Sequence, residues 1–275
     1  MLTEASAVFE IMFSDRYSEG RGLDQASPQV IVLNVNSEAL ELLLEVIHHR
    51  GSPSTVSIDT LLEMQTICDK YDCMKTMAPF VCGWLMKIEV KELEIPLRVQ
   101  YINLAIAFGQ AAAFRSATLF LILDLDQSAI DLLEAHDTEL PVKLLYLLQK
   151  KRLRIRSSID AAVGEAVGRS HSCGCSAFIE AKTRSTLFKD INRVSLRQAV
   201  RLAQSAIEEI DCASIWRCQT HVRAQKRPGS QHLEMGKRTA RQTLRDMLDK
   251  VEGLCMDCTD GGTVVTGVCA EHKSR

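Results

Sequence analysis

Residues 30–47 read VIVLNVNSEALELLLEVI. Up to Val35 the run is apolar and rich in β-branched residues, the best strand pattern in the chain. Ser37 can then cap a helix in which Leu40, Leu43, Leu44 and Ile47 share one face, with Glu38, Glu41 and Glu45 largely off it. Gly51-Ser52-Pro53 stops that helix. One strand followed by helices is the theme that the flanking sequence extends.

Upstream, Leu2, Ala5, Phe9 and Met12 recur at helical spacing and Phe13 widens the stripe. Residues 14–28 are polar, contain Gly20 and Gly22, and read as an exposed loop. Downstream, Leu61, Met64, Ile67, Cys68 and Tyr71 mark an amphipathic helix, and a shorter one runs through Phe80, Trp84 and Leu85. Pro96 marks a boundary, and helical patterning resumes from Leu97 to about Leu133. Pro141 opens a long helix to about Arg169, with Leu145, Leu148, Ile155, Ile159 and Ala166 on one stripe. Further helices are expected near residues 177–191, 195–210 and 237–252. The fold class expected is mostly α (α+β).

No apolar run reaches the roughly 20 residues a membrane span needs. No basic leader precedes an apolar stretch at the N-terminus, so the reading expects an intracellular protein. Its ten cysteines are then thiols or metal ligands rather than disulfides. The net charge of −2 conceals an asymmetry: residues 1–140 hold 9 basic against 21 acidic side chains, and the remainder 24 against 14. Such halves suit two regions with different partners.

The order of segments carries a resemblance. Ala5-Ser6-Ala7-Val8-Phe9-Glu10-Ile11-Met12-Phe13, a variable loop, a strand ending at Asn34–Asn36 and the helix through Leu40–Ile47 resemble a BTB/POZ domain. Ile47-His48-His49-Arg50 and Asp69-Lys70-Tyr71-Asp72-Cys73 resemble its fungal branch, where such segments sit at the end of one helix and inside the next. The resemblance covers about residues 1–90 and, more loosely, the helical extension. It implies two strands and a turn ahead of the first helix, whereas this sequence starts at or inside that helix. The organisation expected is therefore a truncated BTB/POZ-like helical domain over 1–90, a helical extension over 91–170, and a basic helical region with a Cys/His-rich tail over 171–275.

Candidate sites follow. In BTB/POZ proteins that recruit cullin ubiquitin ligases, an apolar-x-Glu motif docks the cullin, and Tyr17-Ser18-Glu19 is similar to it. An apolar anchor beside one carboxylate makes a small oriented hot spot; the alternative is a solvated loop with an incidental tyrosine. In the tail, Cys255, Cys258, Cys269 and His272 form CxxC and CxxH pairs ten residues apart. Three thiolates and an imidazole can close a tetrahedral structural zinc site, and the alternative is reduced cysteines in a flexible end. Cys173, Cys175, Cys212, Cys218, His171 and His221 match no ligand spacing. Cys68, Cys73 and Cys82 read as small buried hydrophobes. His48 and His49 lie about 100° apart on a helix, so they read as a dipole-favoured C-terminal pair rather than a chelate. The run Lys150-Lys151-Arg152-Leu153-Arg154-Ile155-Arg156 reads as the solvated side of a helix, or as a nuclear-import or acidic-partner contact. Interleaved aromatics are missing, which disfavours nucleic acid.

There is no GxGxxG, P-loop, GxSxG or HExxH motif. The sequence is thus read as a non-enzymatic protein–protein interaction module that self-associates or recruits a partner, as an adaptor or transcriptional regulator. A zinc-stabilised nuclear factor is the alternative, and a thiol-dependent enzyme a more distant one.

Overall fold

The computed structural model describes residues 1–21, 34–126, 131, 140–170, 193–208 and 229–256. Among these residues every regular element is helical. Residues 30–33 of the expected strand lie outside the described residues, and Asn34 and Val35 are irregular. The chain divides into two compact units, one of residues 1–117 with 255–275, the other of residues 118–254.

The first unit is organised around one helix. In chain order its helices are α1 (Leu2–Ala5), α2 (Ala7–Met12), α3 (Ser18–Arg21), α4 (Ser37–Ile47), α5 (Ile58–Lys70), α6 (Met74–Leu85) and α7 (Ile95–Ala107). Helix α5 packs against α4, α6 and α7. Its start is fixed by Ser57, whose hydroxyl accepts from the Thr60 N–H at 3.1 Å. Asp59 in the first turn and Lys70 in the last both complement the helix dipole. Leu61, Met64, Ile67, Cys68 and Tyr71, the stripe expected from spacing, are all buried.

Helix α4 departs from expectation in two details. Its cap is Asn36, whose Oδ1 accepts from the Ala39 N–H at 3.0 Å, and Ser37 is the first helical residue. The buried face is Ala39, Leu42, Leu43, Val46 and Ile47, so the expected Leu40 and Leu44 sit at its margin. The glutamates aside, α4 is apolar almost all round, and period alone does not say which side its neighbours cover.

The helix ends are explicit. His49 and Asp72 both take positive φ, at 55° and 51°. At α4, Arg50 N–H donates to the Glu45 carbonyl and His49 N–H to that of Val46, at 2.9 and 3.1 Å. At α5, Cys73 N–H donates to the Cys68 carbonyl at 2.8 Å, and Asp72 N–H to that of Asp69. Both are Schellman endings, in which one left-handed residue lets the chain satisfy the last carbonyls and turn away. Asp69–Cys73 therefore straddles the end of α5, with Asp69 and Lys70 inside the helix and Tyr71, Asp72 and Cys73 leaving it. A third such ending, at Gly109 with φ 65°, splits the expected 97–133 helical stretch into α7 and α8 (Ala111–Asp124).

Buried polar tips are matched to carbonyls. Trp84 Nε1 donates to the Pro53 carbonyl at 2.9 Å, and Tyr101 Oη donates to that of Leu85 at 3.0 Å. Arg98, only 7 % exposed, donates to the carbonyls of Val90 and Lys91 at the 3-10 turn Val90–Glu92.

In the second unit, α9 (Val142–Ser170), α10 (Leu196–Glu208) and α11 (Gly229–Asp249) pack against one another pairwise. Helix α10 buries Leu196, Ala199, Val200, Ala203 and Ile207, a stripe whose alanines allow close approach. At its C-terminus, Lys237 Nζ donates to the Glu208 carbonyl at 3.0 Å and Arg241 pairs with the Glu208 carboxylate at 2.7 Å. The Leu254 N–H donates to Thr118 Oγ1 at 2.8 Å, and Lys151 Nζ to the Gly253 carbonyl at 3.2 Å.

Candidate interaction surfaces

The N-terminal helices are held by two hydroxyls and an aromatic stack. Ser6 is the N-cap of α2, its Oγ accepting from the Phe9 N–H at 3.0 Å. The same hydroxyl donates to the Tyr71 carbonyl at the end of α5. Phe9 is 2 % exposed and stacks on Tyr71 with ring centroids 4.8 Å apart. Thr76 Oγ1 adds a bond to the Ala5 carbonyl at 3.0 Å. Phe9 is therefore well covered.

That anchoring turns other apolar groups outward. Val8 is 37 % exposed and Ile11 55 %. Tyr17, five residues beyond the end of α2, is 48 % exposed. Residues 14–21 do not form the plain loop expected: α3 spans Ser18–Arg21 and Gly20 is buried. A Cβ at Gly20 would run into the Ser14 carbonyl and the Phe13 backbone, so only glycine fits the return. Glu19 lies in the first turn of α3, and its carboxylate accepts from the Ser18 hydroxyl at 2.9 Å. Its own backbone N–H, and then Ser18, hold that carboxyl below the usual carboxylate range. The Tyr17-Ser18-Glu19 segment thus presents an open aromatic ring two residues from a locally held carboxylate.

Of the proposed zinc ligands, Cys255 is half-buried beside the buried Met256, while Cys258, Cys269 and His272 lie outside the described residues. So do Cys173, Cys175, Cys212, Cys218, His171 and His221. Among the described residues no three His, Cys, Asp or Glu side chains cluster closely enough to hold a metal ion. Cys68 and Cys73 are fully buried, and burial pushes the Cys68 thiol up to about 12 and raises that of Cys73. They are packing groups with little thiolate character. His48 and His49 cap α4 as described, on its exposed end.

The basic run on α9 is two-sided, which its composition does not disclose. The helix buries Leu144, Leu145, Leu148, Ile155, Ile159, Ala162 and Val163. Arg152 falls within that apolar stripe, is 3 % exposed, and donates to the Leu125 carbonyl at 2.7 Å. Burial first, and the neighbouring Arg156 second, pull its pKa down to about 10 against the opposing effect of Asp126. Arg156 is half-buried and donates to the Val194 carbonyl at 2.7 Å. These two arginines tie α9 to the ends of neighbouring segments and are not part of a solvated face. Lys150 and Arg154 do face outward, on the side that also exposes Tyr146 at 61 % and Leu153 at 52 %. Sequence reasoning missed this apolar component, because Tyr146 and Leu153 read as part of a generally Leu-rich helix.

Among the described residues no helix is long and apolar enough to cross a membrane. Compared with known protein families, curated proteins and solved structures, the chain matches none.

Proposed function

We propose that this chain is a non-enzymatic protein–protein interaction module, BTB/POZ-like over its first 90 or so residues, that pairs with a second copy through its N-terminal helices. The observation that carries the reading is the exposure of Val8 and Ile11 on a helix whose opposite side is fixed by Phe9, Tyr71 and Ser6. A rigid helix showing two apolar side chains to solvent is suited to burial against another protein. The BTB/POZ-like order of segments supports an interaction role in general.

The test is co-purification of two differently tagged copies of the full chain. The wild type is expected to capture its own second copy. The double substitution Val8→Asp with Ile11→Asp should lose capture while keeping its circular dichroism and melting temperature. Failure of wild-type copies to pair, or undiminished capture by the variant, would contradict the reading.

Recruitment of a cullin is a second reading, favoured by the open Tyr17 ring near the held Glu19 carboxylate. Tyr17→Ala with Glu19→Ala should then abolish cullin co-purification yet leave copy pairing intact. Unchanged cullin binding, or none by the wild type, removes that reading.

A further inference from the structure

Over residues 142–158, α9 carries six lysines and arginines and no acidic residue. An uninterrupted cationic run at the N-terminal half of a helix opposes the helix dipole. Folding resolves it unevenly. Arg152 and Arg156 turn inward to carbonyls, as described above, and Lys151 reaches the Gly253 carbonyl. Lys143, Lys150 and Arg154 stay exposed. Their spacing of seven and four residues puts them along one face, interleaved with Tyr146 and Leu153. Val142, 80 % exposed, extends the apolar component at the helix start.

Tyr146, Lys150, Leu153, Arg154 and Ser157 line a surface groove of about 710 Å³. The Lys150 ammonium lies over the Tyr146 ring, 5.6 Å from its centroid, which holds cation and aromatic together on the groove wall.

We propose that this outward face of α9 is a docking surface for an acidic amphipathic helix of a partner protein. The apolar side chains supply area to bury, and the cations flanking them select a partner whose helix alternates leucine-like residues with carboxylates. Residues 142–158 span about 25 Å of helix, enough for a partner helix of four to five turns. A second copy of this chain is a poor occupant, since two such faces would bring Lys143, Lys150 and Arg154 against their own kind. Nucleic acid is poorer still: one tyrosine offers no series of stacking platforms, and exposed Val142 and Leu153 gain nothing from a phosphate backbone. The surface lies on α9 and does not depend on the function proposed above.

The experiment is fluorescence anisotropy of the full chain with a labelled 18-residue peptide of helically spaced Leu and Glu. A peptide with Lys in place of Glu, a labelled DNA duplex and phosphatidylserine-containing vesicles serve as competitors of other chemistry. The Leu/Glu peptide should bind, and Lys150→Glu with Arg154→Glu should weaken it roughly tenfold or more. Leu153→Ser, also on the exposed face, should weaken it independently of salt. Circular dichroism and melting temperature check that both variants fold. The proposal is overturned if the Leu/Glu peptide fails to bind, if the Lys peptide binds as well, or if neither variant changes its affinity. It is also overturned if duplex or vesicles bind more tightly than the peptide and lose that binding in the same variants.

Discussion

The Ser6 hydroxyl serves two helices, accepting from the Phe9 N–H to cap α2 and donating to the Tyr71 carbonyl that ends α5. Ser6 is 3 % exposed, so water cannot readily replace either bond. Ser6→Ala should therefore cost about 1–3 kcal/mol, combining a lost cap with a stranded buried carbonyl. Urea denaturation checks this, and an unchanged midpoint would contradict the arrangement. Two other buried groups weaken the fold at alkaline pH. Burial raises the Cys68 thiol and the Tyr101 hydroxyl each to about 12 in the folded chain. A raised folded pKa means that the native state holds its proton where the unfolded chain has released it. That stability is complete below the ordinary values of 9.0 and 10.0, and is lost as pH rises from there towards 12. The urea midpoint should fall above about pH 9, and less steeply in Cys68→Ala. A fall of equal steepness in that variant would exclude Cys68 as a contributor. None of these pairings was legible in sequence, because Ser6 and Tyr71 meet across 65 positions and no local pattern records such a contact.

At the scale of elements, legibility tracked one-sidedness. Helix α5 was readable because its apolar residues follow a single stripe and polar residues fill the rest. Helix α4 was readable as a helix, yet its buried face turned out rotated, since Leu40 and Leu44 are as apolar as the Leu42 and Val46 that the core takes. On α9 the stripe Leu145, Leu148, Ile155 and Ile159 was read correctly. Arg152 within it was not, because its burial depends on a carbonyl contributed by another segment. Two predictions belong here. Leu61→Ala, at a fully buried position on the helix that three others pack against, should cost about 2–5 kcal/mol. A loss below about 1 kcal/mol would mean that α5 is not central to its unit. His49→Gly should instead stabilise. The left-handed conformation costs a non-glycine residue about 1–2 kcal/mol, and the freer unfolded chain returns about 0.4–1 of that. A rise in the denaturation midpoint worth about 0.5 kcal/mol is expected, and a fall would show that the exposed imidazole makes a contact of its own.

The charge asymmetry between residues 1–140 and 141–275 coexists, among the described residues, with two apolar surfaces of different character. Val8 and Ile11 form an apolar face, whereas Tyr146 and Leu153 are flanked by cations. Salt should therefore separate the two associations. Pairing through α2 should survive an increase in NaCl from about 0.05 to 0.5 M, over which the screening length falls well below the spacing of surface charges. Binding of an acidic helix to α9 should weaken over the same range, and the reverse pattern would mean that the two surfaces have been assigned wrongly. Tyr17 and Glu19 were legible as residue types, and their exposure as a pair became clear only when Gly20 was seen to fold the segment back on Phe13. The central claim is that α2 mediates pairing of the chain, and sedimentation velocity on the full chain over a hundredfold concentration range tests it most directly. The account predicts a species of twice the 30.6 kDa chain mass that dissociates on dilution and is absent in Ile11→Asp. A single 30.6 kDa species at every concentration, or a dimer untouched by that substitution, would contradict it.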